Sequence, residues 1–126
     1  MRLTLKNNLP FINVTVAYQG HIIEIPVLVD TGSASMILAV DALIPIRLFP
    51  SPDDTLYTIR GIGGGEVVFS RQLDYLQAGA RKLLDFEIEV GGMDYGFEIK
   101  GILGMDFLIQ AGAVIDLRNR RIEFKT

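Results

Sequence analysis

The sequence predicts a mostly-β domain. Three observations carry that expectation: short runs of β-branched and aromatic residues, glycine or polar turns between them, and helical character in only two brief segments. The runs are Phe11 to Tyr18, Ile22 to Val29, Thr55 to Ile59, Glu66 to Phe69, Phe86 to Val90, Tyr95 to Ile99, Ala113 to Leu117 and Arg121 to Phe124. Gln19-Gly20, Gly91-Gly92 and Arg118-Asn119-Arg120 supply turns between neighbouring runs, so antiparallel pairing is expected there. Ser35 to Leu48 reads as helical or irregular ahead of Pro50 and Pro52. Met105 to Ala111 reads as a short helix with Met105, Leu108 and Ile109 on one face and Gly112 as its stop.

The 126 residues are 49% hydrophobic and 21% charged, which suits one compact core, so residues 1–126 read as a single domain. A net charge of -3 provides no basic field for phosphates, and nucleic acid is not an expected partner. The absence of cysteine removes disulfides, thiolate nucleophiles and thiolate metal sites. The lone His21 cannot supply a histidine-rich metal site or an evident serine-type triad, and it is expected in the turn after Gln19-Gly20 with no functional role. No metal or organic cofactor is implied. Met1 to Asn8 is too interrupted by polar groups for a signal peptide, and no apolar run approaches the roughly 20 residues that span a bilayer. A soluble, cytoplasmic protein with no membrane segment in this chain is the expectation.

The chemistry concentrates at Asp30. Ile25-Pro26-Val27-Leu28-Val29 reads as a strand buried on both faces, and it runs directly into Asp30-Thr31-Gly32-Ser33. A carboxylate in that position is costly unless neighbouring groups satisfy it. Thr31 and Ser33 bring hydroxyls and Gly32 permits a tight turn with an unobstructed amide. On these residues alone two readings stand: an oriented, reactive carboxyl group, or a polar turn after a core strand.

Val29-Asp30-Thr31-Gly32-Ser33-Ala34 resembles the active-site signature of aspartic proteases. Arg60-Gly61-Ile62-Gly63-Gly64-Gly65 resembles the glycine-rich flap tip of the retroviral, or retropepsin-like, members. Gly101-Ile102-Leu103-Gly104-Met105-Asp106-Phe107-Leu108 resembles their second hallmark, two apolar residues and Gly before the single helix. The likeness continues through Ala113-Val114-Ile115-Asp116-Leu117-Arg118-Asn119 and is nearest in pattern to small bacterial single-domain members and the retropepsin-like domain of eukaryotic ubiquitin-shuttle proteins. It implies the retropepsin-like acid-protease fold with one short C-terminal helix and a closed flap hairpin. It also implies a symmetric homodimer, because this chain offers one Asp-Thr-Gly and the chemistry needs two carboxyls.

What the resemblance implies for residues is specific. Asp30, with Thr31 and Gly32, forms the catalytic loop; Thr31 hydrogen-bonds across the dimer axis and Ser33 meets the outer oxygen of the Asp30 carboxyl. Ser33, Ala34, Gly61, Ile62, Gly63, Gly64 and Ile102 bind an extended peptide or protein substrate, while Val27 and Leu103 belong to the core. Asp106 carries no catalytic role and favours the helix N-terminus as a negative charge. Ala34 and Met105 depart from the pattern, because retroviral enzymes carry an Asp–Arg pair there. The expected activity is aspartic endopeptidase; the alternative is a non-catalytic peptide-binding or dimerisation module on the same fold.

Overall fold

The computed structural model describes residues 1–61, 64–92 and 99–125. The strands are β1 (Thr4–Lys6), β2 (Leu9–Tyr18), β3 (His21–Val29), β4 (Ile37–Ala39), β5 (Tyr57–Gly61), β6 (Gly64–Gln72), β7 (Tyr75–Ala78), β8 (Arg81–Leu84), β9 (Glu87–Gly91), β10 (Gly101–Leu103), β11 (Ala113–Asp116) and β12 (Arg121–Phe124). A 3-10 helix covers Val40–Ile46, and one α-helix, α1, covers Met105–Gln110. No helix among the described residues is long and apolar enough to cross a membrane.

Among the described residues, a ten-stranded sheet runs in the order β5-β6-β9-β4-β10-β3-β2-β7-β8 with β1 paired to β2, and β11-β12 form a separate pair. The β2–β3 hairpin follows from Gln19-Gly20: both residues adopt positive φ, 48° and 84°. The Asp74 carboxylate accepts their N–H groups at 3.1 and 2.9 Å. His21 is the exposed first residue of β3. At the other end of β3, Leu28 and Val29 pair in parallel with Ile102 and Leu103 of β10. β10 also pairs antiparallel with β4, Ile102 opposite Ile37. One short strand therefore lies between the two that enter and leave the Asp30 loop.

Burial divides β3 unequally. Ile25, Val27 and Val29 enter the main core, whereas Pro26 and Leu28 are only half-buried. The expectation of burial on both faces is corrected here: Leu28 packs on a small second cluster of Phe11, Ile37, Ala39, Ile99 and Ile102. Ser35 to Leu48 also resolves differently from its sequence pattern. Ile37–Ala39 is captured as strand by β9 and β10, and only Val40–Ile46 is helical, as a 3-10 turn ending at Arg47 with φ 60°. The 3-10 helix thus falls inside the segment expected to be helical or irregular, and α1 is the expected short C-terminal helix. β7 and β8 form an unforeseen hairpin, held by pairing of β7 to β2. The turn expected at Gly91-Gly92 leads into a run, Tyr95 to Ile99, that lies outside the described residues except for Ile99.

The α1 helix turns a different face inward from the one its sequence suggested. Phe107 and Leu108 are buried, but Ile109 is 68% exposed. Phe107 decides the rotation: its ring meets Phe86 and Phe124 edge-on at 5.7 and 6.1 Å. Gly112 ends the helix with φ +66°, and a Cβ there would lie 2.2 Å from the Lys125 carbonyl oxygen. Near the base of the β5–β6 hairpin, Arg71 donates to the Tyr18 hydroxyl, the Phe49 carbonyl and the Asp54 carboxylate. Asp54 is held below the usual carboxylate range, first by the Ser51 N–H and then by Arg71. The segment between the 3-10 helix and β5 is thereby fastened to the sheet.

Phe107→Ala should lower the unfolding free energy by about 3–5 kcal/mol, since it empties the centre of this aromatic cluster. Urea unfolding at one fixed protein concentration measures it; a loss below about 1 kcal/mol would mean that α1 does not depend on this contact.

Candidate active site

Asp30 sits one residue past β3, and its backbone is fully engaged. Its N–H donates to the Leu103 carbonyl at 3.0 Å, and its own carbonyl accepts the Ser33 N–H at 3.2 Å. The Gly32 N–H donates to Asp30 Oδ1 at 2.9 Å, so the loop orients the carboxyl it carries. Asp30 is half-buried, while Thr31, Gly32 and Ala34 are exposed. A carboxyl group anchored from below and open on one side can reach a reacting molecule.

The first turn of α1 is fastened to the same loop. Met105 N–H donates to the Ser33 carbonyl at 2.8 Å and Asp106 N–H to the Ala34 carbonyl at 3.1 Å. In return, Met36 N–H donates to Asp106 Oδ2 at 3.0 Å. Oδ1 of the same carboxylate accepts the Phe107 N–H at 2.7 Å. Such closeness requires Gly104, because a Cβ there would lie 2.3 Å from the Ser35 carbonyl oxygen. Asp106 therefore does more than complement a helix dipole. Sequence reasoning missed its role because only the fold brings Met36 to a carboxylate 70 positions away.

The loop residues Asp30, Thr31, Gly32, Ser33 and Ala34 stand together in one turn between β3 and β4, with Asp30 and Ser33 half-buried and the other three exposed. Ser33 differs from its expected contact: its hydroxyl donates to the Ser35 carbonyl at 2.9 Å, because the turn brings that carbonyl within reach. Ile102 is 7% exposed in the second cluster, against which Ile59 of β5 also packs. The hairpin and the strands flanking the Asp30 loop thus share an apolar cluster. Gly61 and Gly64 face each other as the last described pair of the β5–β6 ladder. Ile62 and Gly63 lie outside the described residues. Ala34 and Met105, in place of an acid–base pair, are linked to the clamp through backbone bonds, Met105 N–H to the Ser33 carbonyl and Asp106 N–H to the Ala34 carbonyl.

An open groove of about 620 Å³ lies along Thr4, Lys6, Phe11, Asn13 and Gln77. It contains no residue of the Asp30 loop, so its size says nothing about that loop's chemistry. Among the described residues, no three His, Asp or Glu side chains gather as metal ligands would.

This architecture is retropepsin-like. The chain is similar to the retropepsin-like aspartic protease from Rickettsia conorii, at 20% identity and a TM-score of 0.71, over 97% of this chain and 95% of that one. It is also similar to EIAV protease complexed with the inhibitor HBY-793, at 21% identity and a TM-score of 0.65, over 90% of this chain and 100% of that one. No protein-family model matches the sequence, and no curated protein is detectably similar to it. At these identities the likeness establishes the fold, and the chemistry must be argued from the loop.

Gly104→Ala should cost about 1–3 kcal/mol or more, since the added methyl group must push the Ser35 backbone away. Chemical unfolding with the Asp30 and Met36 amide resonances as local probes checks it. Wild-type stability with unmoved resonances would show that α1 and the loop are not in the contact described.

Proposed function

We propose that the chain is an aspartic endopeptidase whose active site forms when the Asp30 loops of two identical chains meet across a two-fold axis. The observation that supports this best is Asp-Thr-Gly at the end of β3, with the carboxyl oriented by the Gly32 N–H and the backbone tied to Leu103. The retropepsin-like fold agrees with it. Residues 1–126 act as one catalytic unit in this reading.

The chemistry explains the need for two chains. One carboxylate takes a proton from the attacking water while a second, protonated, carboxyl donates to the scissile carbonyl. Neighbouring carboxyls cannot both ionise cheaply, so the pair holds one proton and titrates as a unit. Only Asp30 is followed by Thr-Gly, and a two-fold axis supplies its counterpart from the same loop of a second chain. Thr31 would then bond across the axis.

An extended peptide would add as a strand between the dyad and the β5–β6 hairpins, gripped through main-chain hydrogen bonds and sorted by pockets at Ser33, Ala34, Ile62 and Ile102. Gly61, Gly63 and Gly64 give the hairpin end the freedom to open and close as a flap. The chain termini offer a surface for the second copy. Met1 and Leu3 are hydrogen-bonded to β12 and its turn, and Val114 and Leu117 on the adjoining strand and turn are 48% and 66% exposed.

Asp30→Asn should abolish cleavage of a diverse peptide library while leaving the circular dichroism spectrum unchanged, because the amide keeps the shape but cannot cycle the proton. Mixing excess variant into wild type, with time for subunit exchange, should suppress activity through mixed dimers. Undiminished cleavage by the variant would remove Asp30 from the chemistry; a folded wild type that binds peptides without cutting them would leave a binding module.

Catalytic efficiency should follow a bell-shaped pH profile with its maximum on the acidic side of neutrality, because activity requires one proton on the dyad. Initial rates at low substrate concentration across the pH range measure it. A rate still rising above neutral pH would require a different base.

A further inference from the structure

Met36, the last loop residue before β4, is held from two directions. Its N–H donates to Asp106 Oδ2 at 3.0 Å, and its carbonyl accepts the Glu89 N–H of β9 at 3.0 Å. Glu89 and Asp106 are among the residues lining one open cavity of about 340 Å³, together with Ser35, Asp85, Glu87 and Gln110. Among the described residues, Glu89 Oε2 is buried without a hydrogen-bond partner. Two acids thus stand behind the same loop residue.

The surroundings favour one proton in this space. From β9 the titratable groups are Glu87 and Glu89, from the turn before it Asp85, and from α1 Asp106; the loop itself contributes the Ser35 hydroxyl. Every titratable group among these lining residues is a carboxylic acid. A cation stands nearby on β8, Arg81: its Nη2 donates to the Gln110 carbonyl at 3.0 Å, and its Nε is buried without a partner among the described residues.

We propose that Asp106 is a positioning residue for the Asp30 loop and that Glu89 makes this hold depend on pH. With a proton on Glu89, the two carboxyls share the cavity and Met36 stays fastened on both sides. With both ionised, they repel across the gap between β9 and α1, and the loop between Asp30 and Met36 loosens. The consequence for catalysis rests on the proposed chemistry of Asp30; the latch itself does not.

The energetics run in one direction. Burial pushes the Glu89 carboxyl up; the neighbouring Ser35 opposes the rise, and the charges of Asp106 and Glu87 add to it. Burial likewise pushes Asp106 up, opposed by the N–H groups of Met36 and Phe107. The folded chain therefore holds these protons at pH values where the unfolded chain has released them. Stability should fall as pH rises above the ordinary values of 4.5 for Glu and 3.8 for Asp, and the loss is complete above the raised folded values. Below the ordinary values both states are protonated and the effect vanishes.

The test uses the whole chain and needs no substrate. Thermal midpoints and Met36 amide exchange, corrected for intrinsic rates, are followed between about pH 4 and pH 8 at constant ionic strength for wild type, Glu89→Gln and Asp106→Asn. Glu89→Gln should match wild type at the acid end, flatten the fall in midpoint as pH rises, and slow Met36 exchange several-fold at the alkaline end. Asp106→Asn should speed Met36 exchange at every pH, because an amide offers one acceptor oxygen where the carboxylate offers two. If Asp106→Asn does not fold, the Glu89→Gln profile alone decides. A Glu89→Gln slope parallel to wild type would overturn the pH dependence, and unchanged Met36 exchange in Asp106→Asn would overturn the positioning role. If both variants behave as expected while Asp30→Asn still cleaves, the latch stands and the catalytic assignment falls.

Discussion

The hydrogen bond from Asp30 N–H to the Leu103 carbonyl fixes where β3 must end. A strand carrying a carboxylate out of a hydrophobic core leaves backbone donors and acceptors that no regular ladder completes. β10 completes them by lying parallel to β3 on one side and antiparallel to β4 on the other. Without it the loop between those strands would have no fixed floor, and the Asp30 carboxyl no fixed direction. Gly104 makes the arrangement possible, since the chain leaves β10 with space for no side chain beside Ser35.

From that contact the remaining clamps follow in sequence order. Residues just past Gly104 enter α1 with their N–H groups facing the loop carbonyls of Ser33 and Ala34. Asp106 closes the connection by bonding Met36, and Phe107 anchors the helix among Phe86 and Phe124. Core packing is thus transmitted to the loop through a helix of six residues. The same route brings the acids of β9 and α1 close together, so that the support of the loop is itself sensitive to protons.

Much of this was legible in the sequence. Alternating β-branched runs located β2, β3, β9, β11 and β12, because those segments pair or pack in the way that local pattern records. Asp30-Thr31-Gly32 and Ile102-Leu103-Gly104 were visible as motifs, and the fold brings them together. The failures have physical reasons. Ile37–Ala39 is strand only because distant strands capture it, and Tyr75-Leu76-Gln77-Ala78 has little intrinsic strand preference until it pairs with β2. The direction of Ser33's hydroxyl and the grip of Asp106 on Met36 are properties of tertiary contact, which spacing along the chain does not encode.

The central claim is that one Asp30 per chain makes a complete site only in a pair of chains. Sedimentation and specific activity measured together over a dilution series, with subunit exchange allowed, address it directly. Activity per chain should fall in step with the fraction of dimer as the protein is diluted below its dissociation constant. A monomer that retains full activity at the lowest concentration would contradict the account.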